Sequence, residues 1–251
     1  MLQLIKLLKT DIMKLKSTQI FWVHLYIPLL TLLIFLSYYS ISPASTFSKI
    51  AAYLQILGMA FPAVIGIVTS MVAEQENSAG GFQNILLSSR PKYLAILSKL
   101  ILFIALGTLS TSLAVGGFYL GYSFMGNNIY PGQFNLILVG ILLGSNVFQY
   151  IFHFFLSFRF GKGISSGLGI AESLLAALFL TGLGDGRWPF VPSSWGIRFV
   201  SFFLLKQQNP AISFKGTNLI PIICFSCLAT IIAFLSLLVW FSRWAGNKRE
   251  E

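Results

Sequence analysis

Four polar side chains in apolar surroundings could do chemistry. Asn146, Gln149 and His153 recur at intervals of three and four residues in one apolar stretch, and Glu172 lies in the next. On helices, this spacing puts the first three on one face, and the cost of polar groups in lipid should turn them and Glu172 inward. They could line a substrate path or gate, or they could fix the bundle by hydrogen bonding between helices. Glu172 also leaves a proton-coupled transporter open, because its helix offers no obvious cation.

Enzymatic chemistry inside a membrane lacks most of its parts here. His24 and His153 are the only histidines, no His-Glu-x-x-His arrangement occurs, and no membrane stretch holds two carboxylates. A serine nucleophile paired with His153 stays open at this stage. Gly161-Lys162 is not a phosphate-binding loop, because the preceding glycine and the following Ser or Thr are missing. We therefore predict a transport subunit with no catalytic residue, no metal site and no cofactor of its own.

The composition is that of an integral membrane protein. Of 251 residues, 56% are hydrophobic and 10% charged, with a mean hydropathy of +0.80. A helix needs about 20 apolar residues to cross a bilayer. Six stretches are long enough, namely Ile20–Ser40, Ile50–Ala73, Leu97–Tyr122, Phe134–Phe158, Ile164–Gly182 and Leu219–Phe241. Their continuous apolarity disfavours a β-barrel, so we predict an all-α bundle of six spans forming a single transmembrane domain over 1–251.

Two smaller features fall inside these spans. Cys224 and Cys227 lie in the last span, where we expect small packing groups and no redox pair or metal site. Gly163 and Gly167 have the four-residue spacing of a tight helix contact in the fifth.

Lysine and arginine divide unevenly between the two sides of the six spans. One side holds Lys6, Lys9, Lys14, Lys16, Arg90, Lys92, Lys99, Arg159, Lys162, Arg243, Lys248 and Arg249. The other holds Lys49, Arg187, Arg198, Lys206 and Lys215. Because cytoplasmic loops carry the excess of positive charge, we expect a multi-pass cell-membrane protein with both termini in the cytoplasm. The net charge of +10 is explained by this topology and by attraction to anionic lipid, so nucleic-acid binding is not required.

Residues 1–17 precede the first span and read as an amphipathic helix. Its apolar residues recur at helical spacing and are Met1, Ile5, Leu8, Ile12 and Leu15. Polar residues occupy the other face, the pattern of a helix that lies flat at the lipid headgroups. We expect a basic topology anchor without chemistry.

A polar segment over residues 74–92 follows the second span and should be cytoplasmic. Such a long polar loop between spans is expected to touch a soluble protein. It begins with Glu74 and Glu76 and continues with Phe82, Ile85 and Leu86 at helical spacing. These apolar residues could enter a cleft on a soluble motor, and the acidic start is well placed for a helix N-terminus.

The segment over residues 183–216 is the main loop on the outer side. Glycine and proline interrupt its helices, and Ile197–Leu205 is too short to cross the membrane. We expect short re-entrant or surface-lying helices. The candidate residues of this segment are Asp185, Arg187, Trp188, Trp195 and Arg198. They could form an aromatic belt at the headgroups or handle an amphipathic substrate.

The order of these elements resembles that of permeases of the ABC-2 exporter type. This order includes a cytoplasmic loop of the form Glu-x-Glu-x-x-x-Gly-x-Phe-Gln-x-x-Leu, which begins at Glu74. Within that type, four segments are similar to permeases of lantibiotic self-protection transporters. They are Gly167–Leu174, Thr181–Gly186, Trp188 and Pro192–Arg198.

The resemblance implies a set of partners. A separate cytoplasmic ABC ATPase dimer, which holds ATP and Mg, would drive a heterodimer of this chain and a second related permease. The cargo would be a lantibiotic peptide, expelled from the membrane of its own Gram-positive producer. The loop would act as the coupling helix that contacts the ATPase. Its candidate coupling residues are Glu74, Gln75, Glu76, Asn77, Phe82, Gln83, Ile85 and Leu86.

The resulting hypothesis is a permease subunit for lantibiotic immunity. The peptide would be collected from the outer leaflet near the aromatic outer segment, and closure of the ATPase would rock the bundle through the coupling loop. An ABC-2 permease for another amphiphile, such as a drug or a lipid-linked glycan, is the alternative. A proton-coupled transporter that uses Glu172 is a more distant one.

Overall fold

A computed structural model describes residues 2–16, 18–87, 91–126, 131–209 and 218–246. Nine α-helices occur in these ranges. They are α1 (Leu2–Lys16), α2 (Gln19–Ile41), α3 (Thr46–Ser78), α4 (Gln83–Leu86), α5 (Lys92–Phe124), α6 (Gln133–Phe160), α7 (Lys162–Leu180), α8 (Trp195–Gln208) and α9 (Leu219–Arg243). Six of them, α2, α3, α5, α6, α7 and α9, are long and apolar enough to cross a membrane. The predicted all-α fold with six spans is confirmed for the part of the chain that the structure describes.

Some predictions fall outside the described residues. They concern Met1 of the first helix, residues 88–90 of the coupling loop, residues 210–216 of the outer segment, and the charges Lys248 and Arg249.

The two ends of the bundle differ in chemistry. One end, here called the basic end, holds α1, α4, the starts of α2, α5 and α7, and the last turns of α3, α6 and α9. The opposite end carries the capping segment over residues 182–208. It consists of three 3-10 turns, Gly182–Gly184, Trp188–Phe190 and Pro192–Ser194, followed by α8. The short helices predicted for this segment are therefore present.

Helices α3 and α5 are longer than a membrane crossing requires. Each has 33 residues, which at 1.5 Å per residue is about 50 Å, against roughly 30 Å of hydrocarbon. The excess of α3 includes Glu74–Ser78 at the basic end. The expectation of a loop starting at Glu74 is wrong for these residues, because α3 continues through them before the chain turns.

Two aromatic cores hold the spans together. Toward the basic end, Phe103 of α5 meets Phe154 of α6 edge to face at 5.6 Å between ring centroids. Toward the opposite end, the Tyr53 ring of α3 stacks on Phe118 of α5 at 4.0 Å. The Tyr53 hydroxyl donates to the Ala114 carbonyl at 2.9 Å, so the polar tip of this buried ring is satisfied. Helix α3 is thus fixed to α5 toward the end opposite the basic end.

Glycine brings the backbones of α3 and α7 together. A Cβ at Gly66 would lie 2.7 Å from the Ser165 carbonyl oxygen, and a Cβ at Gly169 would lie 2.6 Å from the Pro62 carbonyl oxygen. The predicted contact at Gly163 and Gly167 is wrong, because no described atom lies within 4 Å of a Cβ at either residue. These two glycines lie on the exposed side of α7, while Gly169 belongs to the face that meets α3.

The cysteines and the first helix also depart in part from expectation. Cys224 and Cys227 are free and exposed, not packed inside the bundle, because α9 buries only a narrow stripe of its surface. On α1, Ile5 and Ile12 are exposed while Leu15 is buried. Helix α1 therefore turns only part of its apolar face inward.

A single methyl group at Gly169 should separate α7 from α3. We expect Gly169→Ala to lower the stability of the purified protein by about 1–3 kcal/mol, because its Cβ meets backbone that cannot move aside. Gly167→Ala, two residues earlier on the same helix, is the matched control and should be neutral or stabilising, because alanine favours helix over glycine. Thermal unfolding in detergent measures both. Equal melting temperatures of the two variants would contradict the assigned contact.

Candidate functional site

A charge cluster ties three helices together at the basic end. Its members are Asp11 and Lys14 of α1, Glu76 of α3 and Lys99 of α5. The Lys99 Nζ lies 2.9 Å from Asp11 Oδ1 and 2.7 Å from Glu76 Oε1. Lys14 Nζ lies 2.7 Å from the same Glu76 oxygen. Ser98 adds a hydroxyl that donates to Asp11 Oδ2 at 2.6 Å.

Burial raises the energetic cost of the charges in this cluster. Asp11, Glu76 and Lys99 are all buried. A buried ion costs several kcal/mol to remove from water, and only close opposite charges and hydrogen bonds offset this cost. Two carboxylates face two ammonium groups, so the cluster is electrically balanced. Because breaking any of these ion pairs would leave a buried charge without its partner, the pairs hold α1 against the end of α3 and the start of α5.

Most of this cluster was not predicted from the sequence. Residues 1–17 were expected to be an anchor without chemistry, and of the four charges only Glu76 was a candidate contact for a partner. Asp11 was the available signal, because it is the only acidic residue in an otherwise basic helix. Its partner Lys99 lies 88 positions away, and no periodicity connects the two.

A left-handed turn places Phe82 inside the protein. Gly80, Gly81 and Phe82 have φ angles of 111°, 62° and 66°. Glycine adopts such angles freely, whereas a bulky residue does so at a cost that its surroundings must offset. The Phe82 ring is buried, 5.0 Å from the Trp244 ring and 5.7 Å from the Phe158 ring between centroids. Aromatic packing therefore holds the turn against α6 and the residue that follows α9.

This turn changes which residues can meet a partner. Phe82, Ile85 and Glu76 were predicted to contact the ATPase, but all three are buried. Their inward packing does not leave them available to a cleft on another protein. The acidic residues lie in the last turns of α3, so they do not begin a helix as expected. Helix α4 itself has only four residues.

Several residues of this segment remain exposed at the basic end. Four of them, Glu74, Asn77, Gln83 and Leu87, are here called the coupling face. Leu87 is 81% exposed and gives the coupling face an apolar side chain. Gln75 and Leu86 are half-buried at its edge. Leu87 was not among the predicted coupling residues.

Inside the bundle, the predicted polar residues of α6 and α7 meet. His153 Nε2 lies 2.8 Å from Glu172 Oε2, and His153 Nδ1 lies 3.1 Å from Ser165 Oγ. With its amide oriented to satisfy both contacts, Gln149 donates to Glu172 Oε2 at 3.1 Å and accepts from the Ser193 N–H at 3.0 Å. Glu172 thus finds its partners on α6, and not in Lys162 at the start of its own helix. Asn146 lies apart from this group, and its amide donates to the Leu142 carbonyl at 2.8 Å.

The contacts of Ser165 bear on the open question of a serine nucleophile. Gly163-Ile164-Ser165-Ser166-Gly167 has the Gly-x-Ser-x-Gly form, and Ser165, His153 and Glu172 are in hydrogen-bond contact. In hydrolases this motif forms a sharp strand-to-helix turn that exposes the serine. Here Ser165 lies inside α7, is fully buried, and also contacts the Gly66 carbonyl at 3.2 Å. The arrangement connects α3, α6 and α7 and does not present a nucleophile.

Most of the predicted residues of the capping segment make contacts within the protein. Arg198 donates through Nε to the Phe179 carbonyl at 2.6 Å and through Nη2 to the Thr181 carbonyl at 2.9 Å, which satisfies free carbonyls at the end of α7. Its Nη2 also lies 2.9 Å from Asp185 Oδ1. Trp188 and Trp195 are buried, so they do not form the aromatic belt that was one interpretation. Arg187 is exposed.

Removing Lys99 should leave two buried carboxylates with one cation. We expect Lys99→Met to destabilise the protein by about 3–5 kcal/mol, because the uncompensated charge stays buried. Adding Glu76→Gln restores the balance of charge and should recover most of the folded protein. Lys16→Met on the exposed side of α1 is the control. The amount of monodisperse protein extracted from membranes measures all three, and a double variant that folds no better than Lys99→Met alone would contradict the coupling of these charges.

Comparison with known proteins agrees with this architecture. A family profile described as "ABC-2 family transporter protein" matches residues 7–178. This range contains the charge cluster, the coupling face and the contact between His153 and Glu172. No curated protein and no solved structure matches the chain. Because the profile covers more than half of the sequence, the chain belongs to the ABC-2 family of transporter proteins.

Proposed function

We propose that this chain is a permease subunit of an ATP-driven exporter that expels a lantibiotic peptide from the membrane of its own producer. Membership of the ABC-2 family makes it a multi-pass transport subunit and implies an ABC ATPase partner. ATP and Mg would be bound by that partner. The main observation behind the proposal is that the exposed residues of the coupling face lie next to a cluster of buried ion pairs.

The construction of the basic end suits the transmission of force. A motor that pushes on the coupling face would act directly on the end of α3, which continues through the bundle for 33 residues. Glu76 joins this end to α5 through Lys99 and to α1 through Lys14, and Asp11 joins α1 to α5 through Lys99. Phe82 is held by Phe158 and Trp244. A displacement at the coupling face would therefore reach four helices without first being absorbed by a flexible loop.

The distribution of charge supports a cytoplasmic location for the basic end. Most lysines and arginines fall at this end, and positive charge is retained on the cytoplasmic side. The coupling face would then meet a cytoplasmic ATPase dimer. Exposed apolar faces on α2, α7 and α9 leave room for a second, related permease and for lipid.

Lantibiotic cargo is supported by the resemblance of the capping segment and α7 to self-protection permeases. An ABC-2 permease for another amphiphile is the alternative and would share the same coupling mechanism. Proton coupling through Glu172 is less well supported. Family membership points to ATP as the energy source, and the Glu172 contacts to His153 and Gln149 resemble a structural link between helices.

A killing curve tests the proposal. A sensitive Gram-positive host should tolerate nisin when it makes this chain with its neighbouring permease and ATPase, and an ATPase that cannot hydrolyse ATP should abolish tolerance. Leu87→Asp should reduce tolerance to the level of the inactive ATPase, because a charge replaces the exposed apolar residue of the coupling face.

The matched control is Ile41→Asp, which changes an aliphatic residue of equal exposure, 82%, at the opposite end. It should leave tolerance intact, with both variants present in the membrane at the level of the parent protein. Full tolerance with Leu87→Asp would exclude the coupling face. Sensitivity of every strain would exclude nisin-type cargo and favour another amphiphile.

A further inference from the structure

A large cavity lies between α6, α8 and α9. Its volume is about 1330 Å³, above the roughly 300–1,000 Å³ of pockets for drug-sized ligands. Helices α8 and α9 lie outside residues 7–178, the range that matches the family profile. Two of the three helices that line the cavity therefore lie beyond the matched range, while α6 lies within it.

The cavity extends through half of the membrane. Its lining on α9 begins at Leu219 and reaches Ile231, twelve residues further, which is about 18 Å along a helix. Half of the hydrocarbon core is roughly 15 Å. Asn218 and Lys206 lie at the end nearest the capping segment. The cavity thus has a charged and an amide group at the membrane surface and an apolar lining with three hydroxyl groups deeper in, which matches an amphiphile held in one leaflet.

Glycine and aromatic residues shape the two walls. On α6, a Cβ at Gly140 or Gly144 would meet nothing within 4 Å, so the absence of side chains there widens the cavity. The wall on α8 carries Trp195, Phe199 and Phe202. Aromatic rings facing an open backbone groove can accommodate bulky apolar side chains of different shapes.

Three hydroxyl groups provide hydrogen-bond acceptors in this otherwise apolar cavity. Ser145 donates its hydroxyl proton to the Ile141 carbonyl at 2.6 Å, Ser226 to the Ile223 carbonyl at 3.0 Å, and Thr230 to the Ser226 carbonyl at 2.7 Å. Each proton is directed to a carbonyl of its own helix, so each oxygen is placed to accept a hydrogen bond from a ligand. The complementary ligand carries N–H donors between apolar groups, as a peptide does.

We propose that this cavity is the binding site for the exported peptide, which enters from the outer leaflet with its apolar side chains against α8 and its backbone N–H groups toward these hydroxyls. This inference rests on the proposed function, since it assigns a site to that cargo. An acyl chain would gain nothing from the three acceptors, so the chemistry of the lining favours a peptide over lipid.

The two native cysteines provide a direct test. Cys227 lines the cavity, whereas Cys224, three residues earlier on α9, is exposed outside its lining. Cys224→Ser leaves only Cys227, and Cys227→Ser leaves only Cys224. Membranes from cells that produce the whole transporter, without ATP, are treated with N-ethylmaleimide in the presence of nisin or of oleate.

Nisin at ten times its dissociation constant should slow the labelling of Cys227 by roughly tenfold, because the free fraction falls in proportion. Labelling of Cys224 should not change, which separates occupancy from a general effect of nisin on the bilayer. Equal protection by oleate would identify a lipid site and overturn the proposal. Cys227 that is unreactive without any probe, or unprotected by nisin, would overturn it as well.

Filling the cavity tests the same site without the thiols. Gly140→Leu with Gly144→Leu should abolish protection of Cys227 and tolerance to nisin. Gly116→Leu is the matched control, because Gly116 also lies in a span with open space around its Cβ but does not line the cavity. Tolerance that survives filling, in a strain whose tolerance still requires ATP hydrolysis, would overturn this site while leaving the proposed function standing.

Discussion

A charge can remain buried only beside its opposite, and the basic end of this protein depends on that constraint. Asp11, Glu76 and Lys99 are withdrawn from water on three different helices, so each needs the others. A short amphipathic helix with several exposed apolar residues would otherwise be free to drift on the membrane surface. The ion pairs from Asp11 and Lys14 make α1 part of the bundle. The structure thereby gains a rigid surface where a motor can act.

Helix α3 connects this surface to the rest of the fold. From one end to the other it contacts α5 through Tyr53, α7 through the backbone at Gly66, and α1 and α5 through Glu76. Pro62 lies within the helix, and the N–H of the next residue, Ala63, donates a hydrogen bond to the Ser173 hydroxyl of α7 at 3.0 Å. Contacts of such different kinds along one helix make it suited to move as a unit with its neighbours.

The spans could be predicted because apolar length is a local property of the sequence. Contacts between distant residues could not. Nothing near Gly169 distinguishes it from Gly163 or Gly167, and only the packing of α7 on α3 selects it. Phe82 was expected to face outward because helical spacing groups it with Leu86, but a left-handed turn inserts its ring beneath Trp244. The faces that carry His153 and Glu172 were predicted to turn inward, but the contact between the two side chains was not predicted. That contact depends on how α6 and α7 meet.

The proposed mechanism requires the ATPase to dock on the coupling face at the basic end. The most direct measurement is cross-linking from Leu87 in the assembled transporter, with Leu87→Cys placed in a chain whose two native cysteines are replaced by serine. A photo-cross-linker attached to this cysteine, which needs no thiol on the partner, should join the position to the ATPase subunit, and Ile41→Cys at the opposite end should give no such product. Cross-linking from Ile41→Cys, or none from Leu87→Cys in an active transporter, would contradict the account.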